Sequence, residues 1–235
     1  MSMAPTQIAN SPGGFIYFGT LLGAFAVVFL VLGIAPLFRH DWLLENLLVF
    51  AALAVLIATR HRLRFSDTSY TLLFLFLVLH EIGAHYTYSL VPYDSWVSAL
   101  TGRTLSEAFG LQRNHYDRLI HFTFGLLVWR PVVELLRAVA PPRGTWRELL
   151  PILFILSSSA IYELIEWAAA VVFGGDLGTA YLGTQGDEWD AQKDMASAAA
   201  GAVIAMSIGA GLRCVSRRED RYAHVNVTGA VGRAE

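Results

Sequence analysis

Residues 149–173 read LLPILFILSSSAIYELIEWAAAVVF, an apolar run interrupted only by three serines and by two acids, Glu163 and Glu166. A helix needs about 20 such residues to cross a hydrocarbon core. The three-residue spacing puts both carboxylates on one face of that helix. A charge at mid-bilayer costs about 3 kcal/mol or more, so this face must meet protein or a polar cavity. Pro151 fits the first turn, where its missing N–H removes no hydrogen bond.

The pattern recurs along the chain. Further apolar runs extend from about Phe15 to Pro36, Leu43 to Thr59, Tyr70 to Leu90, Tyr116 to Ala140 and Trp189 to Leu212. Three of them carry a pair of the same kind: Glu81/His85, Asp117/His121 and Asp190/Asp194. Each pair is spaced four residues apart and so shares a helix face. The chain is 55% hydrophobic and 15% charged, against about 25% charged in a soluble domain. The fold expected is therefore all-α, a polytopic membrane bundle of about six helices. A net charge of -2 suggests no nucleic-acid partner. A single cysteine, Cys214, excludes an internal disulfide and a cysteine-based zinc cluster.

Lys and Arg set the expected orientation. Arg60, Arg62 and Arg64 follow the second run, Arg137, Arg143 and Arg147 lie between the fourth and fifth, and Arg213, Arg217, Arg218 and Arg221 follow the sixth. These segments share a side, read as the cytoplasm. Residues 1–14 then form a cytoplasmic N-terminal tail, 15–213 the transmembrane domain, and 214–235 a polar cytoplasmic tail without fixed structure. No basic residue precedes the first run, so it reads as a retained helix rather than a secretory signal. Arg103, Arg113 and Arg118 fall on the outer side, against the rule. Residues 93–112 are too polar to span and read as an interfacial segment with Trp96, Val97, Leu100, Ala108 and Phe109 on one face. Gly19 and Gly23 form a small-xxx-small motif suited to close helix packing or to an oligomer contact.

With this topology all four pairs fall at one depth, in the outer half of the membrane. Glu163 lies about 21 Å along its helix from Leu149 at 1.5 Å per residue. Asp194 shares its face with Ser197, Gly201, Ala205 and Gly209, and Gly125 lies on the Asp117/His121 face. Small residues mark helix contacts in membranes, so these acids turn inward. Ser157, Ser158 and Ser159 are expected to bond back to their own helix, and Arg130 to pair with Glu134 one turn on.

Four blocks carry a resemblance. They are Gly83-Ala84-His85-Tyr86-Thr87-Tyr88, Arg113-Asn114-His115-Tyr116-Asp117-Arg118, Tyr162-Glu163-Leu164-Ile165-Glu166-Trp167 and Gly183-Thr184-Gln185-Gly186-Asp187-Glu188-Trp189-Asp190. From about Leu43 to Leu212 the chain resembles the YjdF-like family of bacterial inner-membrane proteins. That resemblance implies a multi-pass plasma-membrane protein and lends no reaction.

Three functional readings stay open. The first is a metal-dependent membrane enzyme, a hydrolase or lipid-modifying enzyme, acting on a lipid or lipid-linked substrate. Its ligands would be His85, His121, Glu163 and Asp194, with His115, Asp117 and Asp190 as further candidates. Histidine and carboxylate suit zinc, iron or manganese, and Glu166 or Asp187 would be the general base. Residues 93–112 would gate lateral entry. The second is a proton- or cation-coupled transporter, since buried acids also relay protons. The third is a non-catalytic assembly factor. Asn114, Asp117, Asp187 and Asp190 also suit helix N-termini, which competes with a ligand role.

Overall fold

The computed structural model describes residues 12–175 and 183–231, with side chains from 16 to 214 within those limits. Every regular element among them is helical: α1 Pro12–Gly33, α2 Arg39–Thr59, α3 Asp67–His85, α4 Tyr93–Thr101, α5 Leu105–Phe109, α6 Tyr116–Val139, α7 Trp146–Phe173 and α8 Asp190–Val231. Five of them (α1, α2, α6, α7 and α8) are long and apolar enough to cross a membrane. The sixth long helix, α3, has 19 residues. Its C-terminal turns carry His80, Glu81 and His85, which lower its hydropathy, and it packs against α1, α2 and α6 inside the bundle. The all-α polytopic architecture expected from the hydropathy is the one observed.

Polar ties fix how the helices alternate. At one end, Ser66 donates its backbone N–H and its hydroxyl to Glu134 at 2.8 and 2.7 Å, and Arg213 meets Glu148 at 2.8 Å. Tyr17 and Thr71 join the starts of α1 and α3 at 2.6 Å. Arg130 lies 3.4 Å from Glu134, the expected pair. At the other end, the Leu37 N–H bonds to the His85 carbonyl at 2.9 Å. Thr87 reaches Asp41 at 3.2 Å, and Arg113 reaches Asp190 at 2.6 Å. Arg60, Arg62, Arg64, Arg143 and Arg147 sit in or beside the turns of the first end.

The closest helix pair is α6 with α8. A Cβ on Gly125 would overlap the Ala198 carbonyl oxygen, and one on Gly201 would overlap the Phe122 carbonyl oxygen. These two glycines therefore let backbone meet backbone, as small residues do in membranes. Trp129, Val132, Val133, Ile155, Ala198 and Ala202 fill the core beside this crossing. A Cβ on Gly19 or Gly23, by contrast, would meet nothing within 4 Å, so no close helix contact is made at that motif among the described residues.

Residues 93–112 form α4 and α5, tied together where Asp94 accepts from the Ser106 N–H at 3.1 Å. Thr104 and Glu107 make a capping box at the start of α5. Leu100 and Phe109 are 87% and 73% exposed, which leaves an apolar face on a polar segment. Thr104→Ala is expected to cost about 1 kcal/mol locally, read as faster amide exchange across Leu105–Phe109. Helix α8 continues to Val231, beyond the end expected near Leu212 and into the stretch expected to lack structure. No Gly or Pro interrupts the chain between Arg213 and Gly229, so nothing local stops a helix there. Residues 1–11 of the expected N-terminal tail and 232–235 of the C-terminal one lie outside the described residues.

Candidate functional site

Three of the four polar pairs meet. Asp117 and His121 occupy the first two turns of α6, Glu163 and Glu166 the second half of α7, and Asp190 and Asp194 the first turns of α8. The α6–α8 backbone contact brings the aspartates together: one carboxylate oxygen from each of Asp117, Asp190 and Asp194 lies within 4.8 Å of the others. His121 Nε2 stands 3.3 Å from Glu163 Oε1 and 3.8 Å from Asp117 Oδ1. Its Nδ1 is 3.1 Å from the Ser159 hydroxyl. Ser159 is thus turned to His121 rather than back to its own helix as expected, and it fixes the ring so that Nε2 faces the acids.

This cluster holds unmatched valence. Glu163 Oε1 and Asp194 Oδ1 are buried and accept no hydrogen bond among the described residues. Asp194 is 2% exposed, and Arg118 Nε stays 4.0 Å from its Oδ1. Asp190 differs. Arg113 grips it with two bonds, at 2.6 and 3.1 Å, and Arg118 adds a third at 3.1 Å. Asp190 therefore closes an ion-pair network above the cluster, and its oxygens are committed to guanidinium donors.

Asp187 belongs to the same network. Lys193 holds it at 2.6 Å, and Arg118 and Arg113 lie at 2.5 and 3.5 Å. The Lys193 contact first, then the Trp189 N–H and Arg118, hold its carboxyl well below the usual carboxylate range. A carboxylate so stabilised is a poor proton acceptor near neutral pH, which argues against the general-base role expected of it. Glu166 is buried and lines a small cavity with Asp41, Glu45 and Asp117, a better position for that role.

Arg113 also donates to the Thr184 carbonyl at 3.0 Å. Asn114 and Gln185 bond reciprocally, at 3.0 and 2.9 Å. Gly183, Gln185 and Gly186 adopt positive φ, which turns this loop back onto α6. The Arg113–Arg118 block and the Gly183–Asp190 block are thus two faces of one interface. Their pairing also accounts for Arg113 and Arg118 at this end, because each answers an acid there.

His85 does not join the cluster. Its Nδ1 bonds to the Leu32 carbonyl at 2.7 Å, and its ring packs on Tyr86. Its partner Glu81 is fully buried, facing Asn46 and Trp42 of α2. His115 is the residue before α6. Its backbone N–H bonds to Tyr93 at 3.1 Å, and burial, then Arg118 and Arg113, keep its imidazole below its ordinary pKa. No ring contact with the acids is found for it among the described residues. On α3 the inward histidine is His80, one residue and about 100° around the helix from Glu81. Its Nδ1 meets the Tyr88 hydroxyl at 2.6 Å. Tyr88 lies over Gly83, where a Cβ would strike its ring. Positive φ at Thr87 and Tyr88 makes that turn.

Helix α2 adds residues that the sequence reading passed over. Asp41, Glu45 and Asn46 are all buried, and the Tyr162 hydroxyl donates to Glu45 at 2.7 Å. Asp41 and Glu45 are four residues apart, the same signal as the chosen pairs. The apolar run begins only at Leu43, which leaves Asp41 outside it. Between α2, α3, α6 and α7 a cavity of about 340 Å³ runs from Asp117, His121 and Ser159 along walls that include Val49, Phe76 and Phe124. Such a volume lies within the ordinary range of small-molecule sites.

The chain is 36% identical over 191 residues to inner membrane protein YjdF of Escherichia coli (strain K12), an alignment covering 80% of this chain and 86% of that protein. No solved structure matches it. A family model described as predicted membrane protein (DUF2238) matches residues 17–214, a span that holds all four quoted blocks and every residue of the cluster. The chain therefore belongs to this DUF2238 family of multi-pass membrane proteins, together with YjdF.

Proposed function

We propose that this protein is a metal-dependent enzyme of the bacterial inner membrane, holding one divalent ion among Asp117, His121, Glu163 and Asp194. The observation that carries the reading is the spacing around His121 Nε2, with carboxylate oxygens at 3.3 and 3.8 Å. Two ligands at about 2.0–2.2 Å from a tetrahedral ion stand about 3.3–3.6 Å apart. Glu163 Oε1, the nearer of those oxygens, accepts no hydrogen bond, and the unpartnered Asp194 Oδ1 supplies the remaining donor. One imidazole with three carboxylates suits zinc, iron or manganese. Bound there, such an ion would lower the pKa of a water to near neutrality. Glu166, buried beside Asp117, would take the proton. The Arg clusters at the opposite end support a cytoplasmic side for that end and for both termini, and with it a cluster in the outer half of the membrane. A lipid or lipid-linked substrate fits that depth.

The test is metal content after purification in detergent. Wild type is expected to retain about one ion per chain, and His121→Ala and Asp194→Asn to lose it. No stoichiometric metal in wild type, under gentle purification with each ion supplied, would sink the reading. Ser159→Ala is expected to weaken ion binding about 10–100-fold while leaving the ligands in place, because it frees the imidazole ring; a chelator titration reads this.

One observation favours a second reading, cation- or proton-coupled transport. Acids continue beyond the cluster, where Asp41, Glu45, Asp117 and Glu166 share a cavity that reaches Gly183. Flux in vesicles that Glu163→Gln abolishes and metal removal leaves intact would favour transport over catalysis.

A further inference from the structure

The cavity beside the cluster opens sideways. Leu48 of α2 and Ile161 and Ile165 of α7 line it, and they are 40%, 57% and 38% exposed. Its mouth therefore lies between α2 and α7, on a flank of the two helices that is apolar and membrane-facing. The polar side chains gather at one end, where His121, Asp117 and Ser159 meet the cavity. The Tyr162–Glu45 hydrogen bond ties α2 to α7 at that same end. No residue between 93 and 112 contributes to the walls, so the interfacial pair α4–α5 does not form the entrance expected of it.

We infer that this cavity receives the hydrocarbon chain of a membrane lipid, entering between α2 and α7 with the lipid's polar end at His121 and Asp117. What happens at that polar end rests on the enzyme reading above; chain binding does not. Away from these polar groups, and from His80 and Tyr162, the exposed wall is mostly apolar, and unfilled apolar space forfeits dispersion contacts on every side. In a bilayer acyl chains would lie against such a mouth, so a chain is the filler that need not be desolvated. The acid cluster then gives the chain a direction, polar end inward to the carboxylates and tail outward between the helices.

The experiment photolabels detergent-purified, full-length protein with a long-chain alcohol carrying a diazirine at mid-chain, followed by peptide mapping. Labels are expected to concentrate in α2 between Leu48 and Ala52 and in α7 between Ser158 and Ile165. Ala52 lines the cavity and is exposed, so Ala52→Trp is expected to block the port and cut that labelling at least about tenfold. Labelling of lipid-facing α1 and the melting temperature should stay as in wild type. Should Ala52→Trp not fold, Ile165→Trp at the mouth is expected to give the same drop. Even labelling of all exposed helices in wild type, or undiminished labelling in a folded variant, would overturn the inference. Labelling without bound metal refutes the ion and leaves the chain port standing. Metal without focused labelling does the reverse.

Discussion

Gly125→Val is expected to destabilise the folded bundle by about 3 kcal/mol or more, the upper range for overpacking a close contact. The first carbon added at this position already overlaps the Ala198 carbonyl oxygen and crowds the Ala202 N–H. Those are backbone atoms of a helix, so no rotamer change relieves the clash, and α6 and α8 must separate. Gly201→Val strikes the Phe122 carbonyl from the opposite side and should behave alike. Separation would also pull Asp117 away from Asp194, so loss of the carboxylate cluster should accompany loss of stability. Thermal unfolding followed by tryptophan fluorescence reads the first effect, since Trp129 is buried beside the crossing. Gly19→Ala is the control. A Cβ there meets open space, and the change should raise stability by about 0.5–1 kcal/mol through helix propensity. Equal behaviour at positions 19 and 125 would contradict the packing described.

Arg113→Ala is expected to cost about 3–5 kcal/mol, the usual penalty for leaving a buried charge without its partner. Asp190, with its side chain 5% exposed, would lose both guanidinium bonds. The Thr184 and Gly183 carbonyls would lose their donor in the same step. Arg118 would keep one contact to Asp190, which places the cost toward the lower figure. Arg113→Lys should recover part of it, because an ammonium matches the charge and not the fork. The Arg113→Ala/Asp190→Ala double variant should be less harmful than the two single costs added, as coupled neighbours are. Denaturation of the four proteins measures this, and strict additivity would show that the pair is not coupled. The Asp187 arm of the network should survive mild acid. Its carboxyl sits below the ordinary carboxylate range, so the stability it adds is complete above that range and fades only as pH falls through the lower folded value.

The membrane bundle was legible because helix-length apolar runs and Arg clusters are global signals that local detail cannot hide. The inward faces of α6 and α8 were legible too, since Gly125 and Gly201 mark them. The pairing of α3 was not. Two histidines and a glutamate stand within its last turns, and spacing alone prefers Glu81/His85. Gly83, which seats Tyr88 over His80, is the cue that turns the helix by one residue. Asp41 and Glu45 show a different failure. They sit in the first turns of α2, where an acid reads as a helix-dipole partner, and burial by Thr87 and Tyr162 comes from distant sequence. The sequence offers Asp187 as a base and Asp190 as a ligand although Arg113 and Arg118 stand in the same chain. The arginines were weighed as topology signals, and their partners lie about 70 residues away, across a loop that folds back.

X-ray absorption at the edge of any co-purified metal tests the proposed ion site directly. The proposed site predicts one imidazole nitrogen with carboxylate oxygens around the metal at about 2.0–2.2 Å, and disappearance of the imidazole scattering in His121→Ala. An edge signal with no histidine in its shell, or one unchanged by that substitution, would place the metal elsewhere and contradict the site.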